Sequence, residues 1–275
     1  MRRMMLLSVV CWQVSALATY ATPPQSGPRF VFKKGATLTY EVRSSVKGTS
    51  AMSGEKAAYA SALEGKLVLT VQSVRADGTA EVKLTATGKG KMTMGDETMP
   101  LDEGPASPLI AVVKPNGAIV ELRDERGQMT SLLQGMENLL AASMQIQTLL
   151  VGDYTLFGLQ LPGKLPAPGK SYTGTYMEEH GRGSDFEHMK IELRSIPARF
   201  IYKGPSKYEG RDCLVFTCEM KASGPQNTGI SIPTTFYFDD KGGRLLAVEQ
   251  RAKNLGRDKM TIDETVRLVV PTSGG

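Results

Sequence analysis

The residues best suited to chemistry in this chain lie around its two histidines, in the segment EEHGRGSDFEH (178–188). If residues 181–184 form a four-residue hairpin loop, His180 faces Asp185 and shares a face with Glu187, because side chains alternate between the two faces of a strand. An imidazole beside carboxylates is a set that can ligate a divalent metal, so His180, Asp185 and Glu187 are candidate metal ligands. An odd-length loop would instead bring His188 to the same side. A solvated polar hairpin is the simpler interpretation, and we predict no metal and no other cofactor.

Two cysteines in the strand-like segment RDCLVFTC offer a second possible chemistry. Five residues of extended chain span roughly 16 Å, whereas a disulfide needs Cα atoms within about 7 Å. Their odd spacing also directs Cys213 and Cys218 to opposite faces of a strand. We therefore predict two structural thiols, with a bridge across an irregular turn as the alternative. The spacing is neither a redox motif nor a zinc motif.

No serine of the sequence stands in a complete catalytic motif. Two Ser-x-x-Lys strings occur, at 44–47 and 53–56, but the Ser-Asp-Asn and Lys-Thr-Gly motifs that accompany such a serine in penicillin-binding enzymes are absent from the sequence. The sequence also contains no Gly-x-Ser-x-Gly motif and no phosphate-binding glycine loop. We assign no catalytic residue, and nothing in the sequence argues for an enzyme.

The first 21 residues have the pattern of a cleaved secretory signal peptide. Arg2 and Arg3 precede the apolar run 4–18, and small residues follow it. A permanent anchor is the alternative, but the run is polar at three positions and shorter than the about 20 apolar residues that cross a bilayer. We predict a periplasmic or extracellular protein with no transmembrane segment after the signal is removed.

Composition and charge restrict the class of partner. The chain has 275 residues, 41% of them hydrophobic, which is enough for one large β domain or two small ones. Its formal charge is +5, and loss of Arg2 and Arg3 with the signal peptide would leave +3. No basic cluster is interleaved with aromatic residues, so we expect no nucleic-acid partner.

Turn signals along the chain predict antiparallel hairpins. Asp77-Gly78, Asn116-Gly117 and residues 239–243 each separate two runs of alternating apolar residues. Residues 46–62 look instead like a flexible loop, with a short helix over 55–63. The Pro/Gly-rich stretch 162–169 is the best candidate for a linker.

This linker divides the chain into an N-terminal half, residues 29–161, and a C-terminal half, residues 168–270. Glycine-marked elements follow one another in the same order in both halves, which suggests a degenerate two-fold repeat; β-meanders that resemble each other without common ancestry are the alternative. We expect the two halves to form one continuous domain.

One long amphipathic helix is predicted over residues 128–151. Leucines and methionines recur at spacings of three and four, and the opposite face is polar but nearly uncharged. The simplest role for the apolar stripe is packing onto the sheet. Because methionine side chains adapt to varied guests, the stripe is also a candidate ligand-binding wall. Its candidate residues are Met129, Leu132, Leu133, Met136, Leu140 and Met144.

Several segments together carry a resemblance to known families. They are FKKG (32–35), the Asp77-Gly78 and Asn116-Gly117 turns, the helix, GKSY (169–172), and FDD with GRLL (238–246). On these residues the chain resembles secreted β-rich bacterial families of unknown function, and its late strands are similar to those of lipoprotein carriers of the LolA type. The second resemblance implies a curved antiparallel sheet, closed by helices, that holds acyl chains.

We therefore predict a mainly β (α+β) fold, a large curved antiparallel sheet or half-barrel with one long helix packed on it. The predicted function is a non-enzymatic secreted or periplasmic protein that binds an apolar or lipid-like ligand in this sheet. The alternative is a structural or protein-interaction module of the cell envelope with a filled core and no ligand. A cavity favours the first and a filled core with an exposed apolar patch favours the second.

Overall fold

The computed structural model describes residues 27–52, 55–102, 108–124, 158–182, 190–221, 231–255 and 260–269, and all regular secondary structure in these ranges is β-strand. Within them, no helix is long and apolar enough to cross a membrane. The strands are β1 (Thr37–Met52), β2 (Glu55–Val74), β3 (Ala80–Met94), β4 (Glu97–Asp102), β5 (Leu109–Val113), β6 (Ile119–Asp124), β7 (Ser171–Arg182), β8 (Lys190–Tyr208), β9 (Arg211–Lys221), β10 (Ser231–Asp239), β11 (Arg244–Leu255) and β12 (Met260–Val269).

All twelve strands belong to one antiparallel sheet, in the order β6-β5-β3-β2-β1-β12-β11-β10-β9-β8-β7, with β4 paired to β3 beside this path. From β1 the chain moves outward to the β6 edge, restarts at the β7 edge and returns to the centre. There the first and last strands pair, with Tyr40 opposite Leu268 and Val42 opposite Val266. The prediction of a mainly β, antiparallel sheet is confirmed, and the two halves of the chain share it.

The sheet curves so strongly that its two edges lie near one another. A flat path of eleven strands would separate β6 from β7 by roughly 48 Å, at about 4.8 Å per strand. Yet Leu161 N donates to Asn116 O in the β5–β6 turn at 2.7 Å, and the preceding residue, Gln160, accepts a bond from Thr175 N of β7 at 2.6 Å. The segment of residues 158–170, here called the connecting segment, therefore fills the gap between the two edges.

Aromatic side chains fill much of the interior enclosed by this curve. On β1 the residues alternate, with Tyr40 and Val42 buried and Arg43 exposed, so one face of the sheet is the inner face. Phe200, Phe236 and other rings of β8 to β10 pack on the same side. Each such ring contributes about 1.5–3 kcal/mol when it leaves water. The core thus consists of residues that strand alternation places inward from both halves.

The predicted hairpin turns are confirmed. Gly78, Gly117 and Gly243 lie in the β2–β3, β5–β6 and β10–β11 turns and have φ angles of 83°, 89° and 59°. Positive φ costs glycine little because it has no Cβ. The side chain of Asp77 supports the first turn by accepting a hydrogen bond from Thr79 N at 2.9 Å.

The predicted loop over 46–62 and its short helix are wrong. β1 and β2 pair without interruption from Thr37 opposite Thr70 to Met52 opposite Glu55. Residues 46–62 are rich in Ala, Ser and Gly, which have low intrinsic strand propensity. Pairing to β12 on one side and β3 on the other, with Ser61 and Leu63 buried, outweighs that propensity.

Two predicted elements lie outside the described residues. They are the signal peptide, residues 1–21, and the helix over 128–151, so both stay predictions. The predicted linker does lie within them, and residues 162–169 form no strand. The two-fold repeat also stays a prediction.

Candidate functional site

A pocket of about 260 Å³ lies at one end of the inner face, and we call it the end pocket. It is bounded by the residues that precede β1, by the adjoining ends of β1 and β2, and by the β10–β11 turn. Most of its wall is apolar. Its lining residues are Phe30, Val31, Phe32, Lys33, Ala36, Leu38, Tyr40, Leu69, Val71, Lys241, Gly242, Gly243, Arg244 and Leu245.

Residues 27–36, here called the N-terminal segment, form one wall of this pocket. Phe30 N donates to Pro115 O at 2.7 Å, and Val31 N donates to Gly243 O at 2.9 Å. Two turns from opposite halves of the chain are therefore bonded to consecutive residues. The Phe30 ring meets the Phe238 ring edge to face at 5.2 Å, which anchors the segment in the core.

Gly243 is required where the N-terminal segment crosses the β10–β11 turn. Besides its positive φ, a Cβ at this position would lie 2.4 Å from Val31 Cγ2 and 2.7 Å from Val31 N. No real Cβ approaches a backbone atom so closely. The glycine thus allows the segment to lie directly on the turn and close the end pocket.

Tyr40 sits at the inner end of the pocket. Its side chain is 2% exposed, and its hydroxyl donates to Leu245 O at 3.2 Å. Burial raises the pKa of this hydroxyl well above its usual range, and the nearby Arg244 charge only partly opposes the shift. Tyr40 is therefore a neutral hydrogen-bond donor that ties β1 to β11.

A row of buried polar side chains crosses the inner face farther along the strands, and we call it the polar row. It consists of Ser44 on β1, Glu264 on β12, Gln250 on β11 and Thr234 on β10, each opposite the next in the strand register. All four side chains are buried. Gln250 Nε2 donates to Thr234 Oγ1 at 2.9 Å, and Thr234 Oγ1 donates to Ile232 O at 3.3 Å.

Glu264 is the titratable member of the polar row. Burial raises the pKa of its carboxyl from 4.5 to about 8, and the Ser44 hydroxyl opposes the shift to a smaller extent. Ser44 Oγ is itself buried beside this carboxyl, close enough to affect its pKa but short of full hydrogen-bond geometry. At neutral pH the carboxyl is thus mostly protonated and uncharged, which suits an apolar interior.

A second, more open depression lies on the outer face of the sheet. Its volume is about 450 Å³, and it forms where Gly65 and Gly88 lie opposite each other on β2 and β3. The charged residues around it are two acids and three bases: Glu41, Glu64, Arg43, Lys66 and Lys89. This mixed lining favours neither anionic nor apolar ligands, so it is a poorer candidate site than the end pocket.

Only some of the candidate site residues chosen from the sequence lie within the described ranges. The ligand-binding candidates Met129, Leu132, Leu133, Met136, Leu140 and Met144 lie outside the described residues, as do Asp185 and Glu187. The backbone of His180 lies in β7 opposite Glu192, and β7 and β8 stay paired as far as Arg182 opposite Lys190. Gly181 and Arg182 are thus strand residues, so a four-residue loop over 181–184, one of the two loop lengths considered, does not form. Among the described residues, no three His, Cys, Asp or Glu side chains converge as a metal site.

The prediction for the cysteines is confirmed. Cys213 and Cys218 are both buried on β9, and no disulfide joins them. Burial, followed by the charges of Asp212 and Asp239, raises the pKa of the Cys213 thiol. This thiol is therefore held in its unreactive protonated form.

Sequence reasoning missed both features of the inner face. The sequence identified residues 241–243 only as part of a hairpin turn, and residues 32–35 only as one of the segments that carry a family resemblance. Glu264 carried a detectable signal, since it interrupts the alternation of apolar residues in TIDETVRLV (261–269) at an inward position. An acidic residue at an inward position predicts a buried carboxyl, but not the residues that face it.

Comparisons with known proteins give distant structural likenesses. No family model and no curated protein matches the chain. A lipovitellin structure described for its lipid–protein interactions is similar with a TM-score of 0.46 at 11% identity, over 89% of this chain and 26% of that one. This chain thus spans about a quarter of the lipovitellin chain.

Two bacterial structures are similar over most of their own length. One, described as an exported protein with a YmcC-like fold from Bacteroides fragilis, has a TM-score of 0.34 at 11% identity, over 89% of this chain and 100% of that one. The other, the hypothetical lipoprotein YmcC from Escherichia coli, has a TM-score of 0.28 at 12% identity, over 88% of this chain and 90% of that one. Likenesses this distant establish neither a family nor a function.

Proposed function

We propose that the protein is a non-enzymatic binding protein that holds an apolar, lipid-like ligand within the curve of its sheet, outside the cytoplasm. The observation that carries this proposal is the end pocket, an apolar-lined space at one end of the inner face of the sheet. Phe32, Leu38 and Ala36 line it and stay partly exposed, so apolar surface remains available there. Covering such surface with a ligand contributes about 25 cal/mol per Å².

The likeness to LolA-type carriers and the secreted or periplasmic location are parts of this proposal that rest on the sequence alone. The helix candidates Met129 to Met144 enter it in the same way, as a possible further wall of the site. An envelope interaction module without a ligand is the competing function. The aromatic core favours this competing function. So does the small volume of the end pocket, since 260 Å³ is below the about 300–1,000 Å³ of typical small-molecule sites.

Filling the end pocket tests the proposal. Ala36→Phe places a ring in the pocket without removing a backbone hydrogen bond, and Ala58→Phe makes the same substitution at an exposed position eleven residues before Leu69 on β2. We expect the purified protein and the Ala58→Phe variant to bind 1-decanol, a single-chain probe small enough for this pocket, saturably in calorimetry. The Ala36→Phe variant should bind decanol about tenfold or more weakly, while its melting temperature matches that of the control.

Two outcomes would contradict the binding function. If the unmodified protein shows no saturable binding of decanol, the inner face holds no such ligand and the interaction module becomes the better explanation. If Ala36→Phe binds decanol as well as Ala58→Phe does, any ligand lies elsewhere than the end pocket.

A further inference from the structure

The charged residues that line the end pocket all carry the same sign. They are Lys33 from the N-terminal segment, Lys241 from the β10–β11 turn and Arg244 from the start of β11. No acidic residue of the described ranges is among the lining residues. The pocket therefore combines an apolar wall with a cationic rim, in contrast to the mixed charges of the outer depression.

Only part of this positive charge is compensated within the turn. Asp239 Oδ2 lies 3.5 Å from Arg244 Nε, and Asp239 Oδ1 accepts a hydrogen bond from Gly242 N at 2.8 Å. The Asp239 carboxylate thus interacts with both the Arg244 guanidinium and the turn backbone. Arg244 Nε is buried and has no partner of good hydrogen-bond geometry among the described residues. A buried donor of this kind is stabilised by any acceptor that reaches it.

The apolar wall and the cationic rim together define the ligand. Phe30, Phe32, Leu38, Leu69 and Val71 offer an apolar surface, but the space is too small for a bulky ring system. We infer that the end pocket binds a single-chain amphiphile with an anionic carboxylate head, its tail against the apolar wall and its head at Arg244 and Lys241. This inference rests on the proposed function and adds the class of ligand to it.

Charge complementarity favours an anion over a neutral or cationic head. A carboxylate accepts charge-assisted hydrogen bonds from guanidinium and ammonium groups, and these are about twice as strong as bonds between neutral groups. A hydroxyl head of the same tail length gains only the neutral bonds. A trimethylammonium head would meet two or three like charges. Among ligands with the same tail, affinity for the end pocket should therefore depend on the charge of the head group.

Ligands with one tail and different heads test this directly. We would measure the binding of decanoate, 1-decanol and decyltrimethylammonium to the purified protein by calorimetry at low salt and neutral pH. Decanoate should bind about tenfold or more tightly than decanol, and decyltrimethylammonium more weakly than decanol. Added salt should weaken decanoate binding alone. Acetate, an anion without a tail, should fail to compete.

Two variants and a matched control separate charge from fold. Lys241→Gln and Arg244→Gln should each reduce decanoate affinity about tenfold and reduce decanol affinity much less, because a hydroxyl head loses only the weaker bonds. Because Arg244 also pairs with Asp239, the exposed Lys241 tests the same charge without altering that pair. Lys253→Gln removes an exposed lysine of β11 that lies nine residues after Arg244, and it should change neither the decanoate nor the decanol affinity.

The outcomes distinguish this inference from the proposed function. Equal affinity for decanol and decanoate would overturn the anionic head while the binding function stands. Failure of both ligands to bind would overturn this inference and the proposed binding function together. Competition by acetate as strong as that by decanoate would show a simple anion site. An equal loss of decanol and decanoate affinity in Lys241→Gln would show a structural role for the lysine. Either result overturns the inference.

Discussion

The buried carboxyl of Glu264 makes the stability of the protein depend on pH in a direction opposite to that of a carboxylate in a salt bridge. In the folded state its pKa is raised from 4.5 to about 8, because burial disfavours the charged form. Well below pH 4.5 the group is protonated in both states, so its ionisation contributes nothing to the free energy of unfolding. As the pH rises toward 8, only the unfolded chain ionises, so this group progressively lowers the free energy of unfolding.

The magnitude follows from the shift. At about 1.4 kcal/mol for each pKa unit, raising the pKa from 4.5 to about 8 costs the folded state about 5 kcal/mol above pH 8 and about 3 kcal/mol at pH 7. Replacing Glu264 by Gln removes the ionisation, but the amide brings one more buried donor than the protonated carboxyl, and leaving that donor unpaired costs about 1–2 kcal/mol. The Glu264→Gln variant should therefore be more stable than the unmodified protein by about 3 kcal/mol at about pH 8.5 and no more stable at about pH 4.5.

Equilibrium unfolding in urea at these two pH values measures the difference. Asp263→Asn is the matched control, because it removes the neighbouring carboxylate of the same strand, whose side chain is 67% exposed and 3.6 Å from Arg251. This control should change stability by about 0.5 kcal/mol or less. A stability difference between Glu264→Gln and the unmodified protein that is the same at both pH values would refute the reasoning.

Two further substitutions test how the segments between strands are held. Gly243→Ala should destabilise the fold by about 2–3 kcal/mol, because its Cβ would collide with the N-terminal segment. Gly35→Ala should cost only about 1 kcal/mol of backbone strain, because Gly35 has φ 79° but an added Cβ would meet no atom within 4 Å. Thermal unfolding of the two variants compares these costs. Gln160→Met removes the acceptor of Thr175 N and should speed hydrogen exchange of that amide about tenfold, while Gln160→Glu keeps the acceptor and should leave the rate unchanged.

Local features of the fold could be predicted from the sequence because their causes are local. Asp77-Gly78 and Asn116-Gly117 form turns, since the φ values required there favour glycine and the flanking runs alternate. The absence of a bridge between Cys213 and Cys218 follows from strand geometry alone. The same local reasoning failed for residues 46–62, where weak strand propensity is outweighed by pairing to strands on both sides.

The inner face was decided by tertiary structure. Tyr40 bonds to Leu245, 205 residues away, only because β1 and β12 pair at the centre of the sheet. That pairing also sets Glu264 opposite Ser44, which determines the burial and hence the pKa of its carboxyl. The end pocket likewise requires the N-terminal segment to reach a turn of the other half. The sequence alone determined the alternation of residues along strands, the turn positions and the separate thiols. It did not determine which residues face each other, because that depends on long-range register. Pairing between distant strands is selected by the packing of the whole core and not by either strand alone.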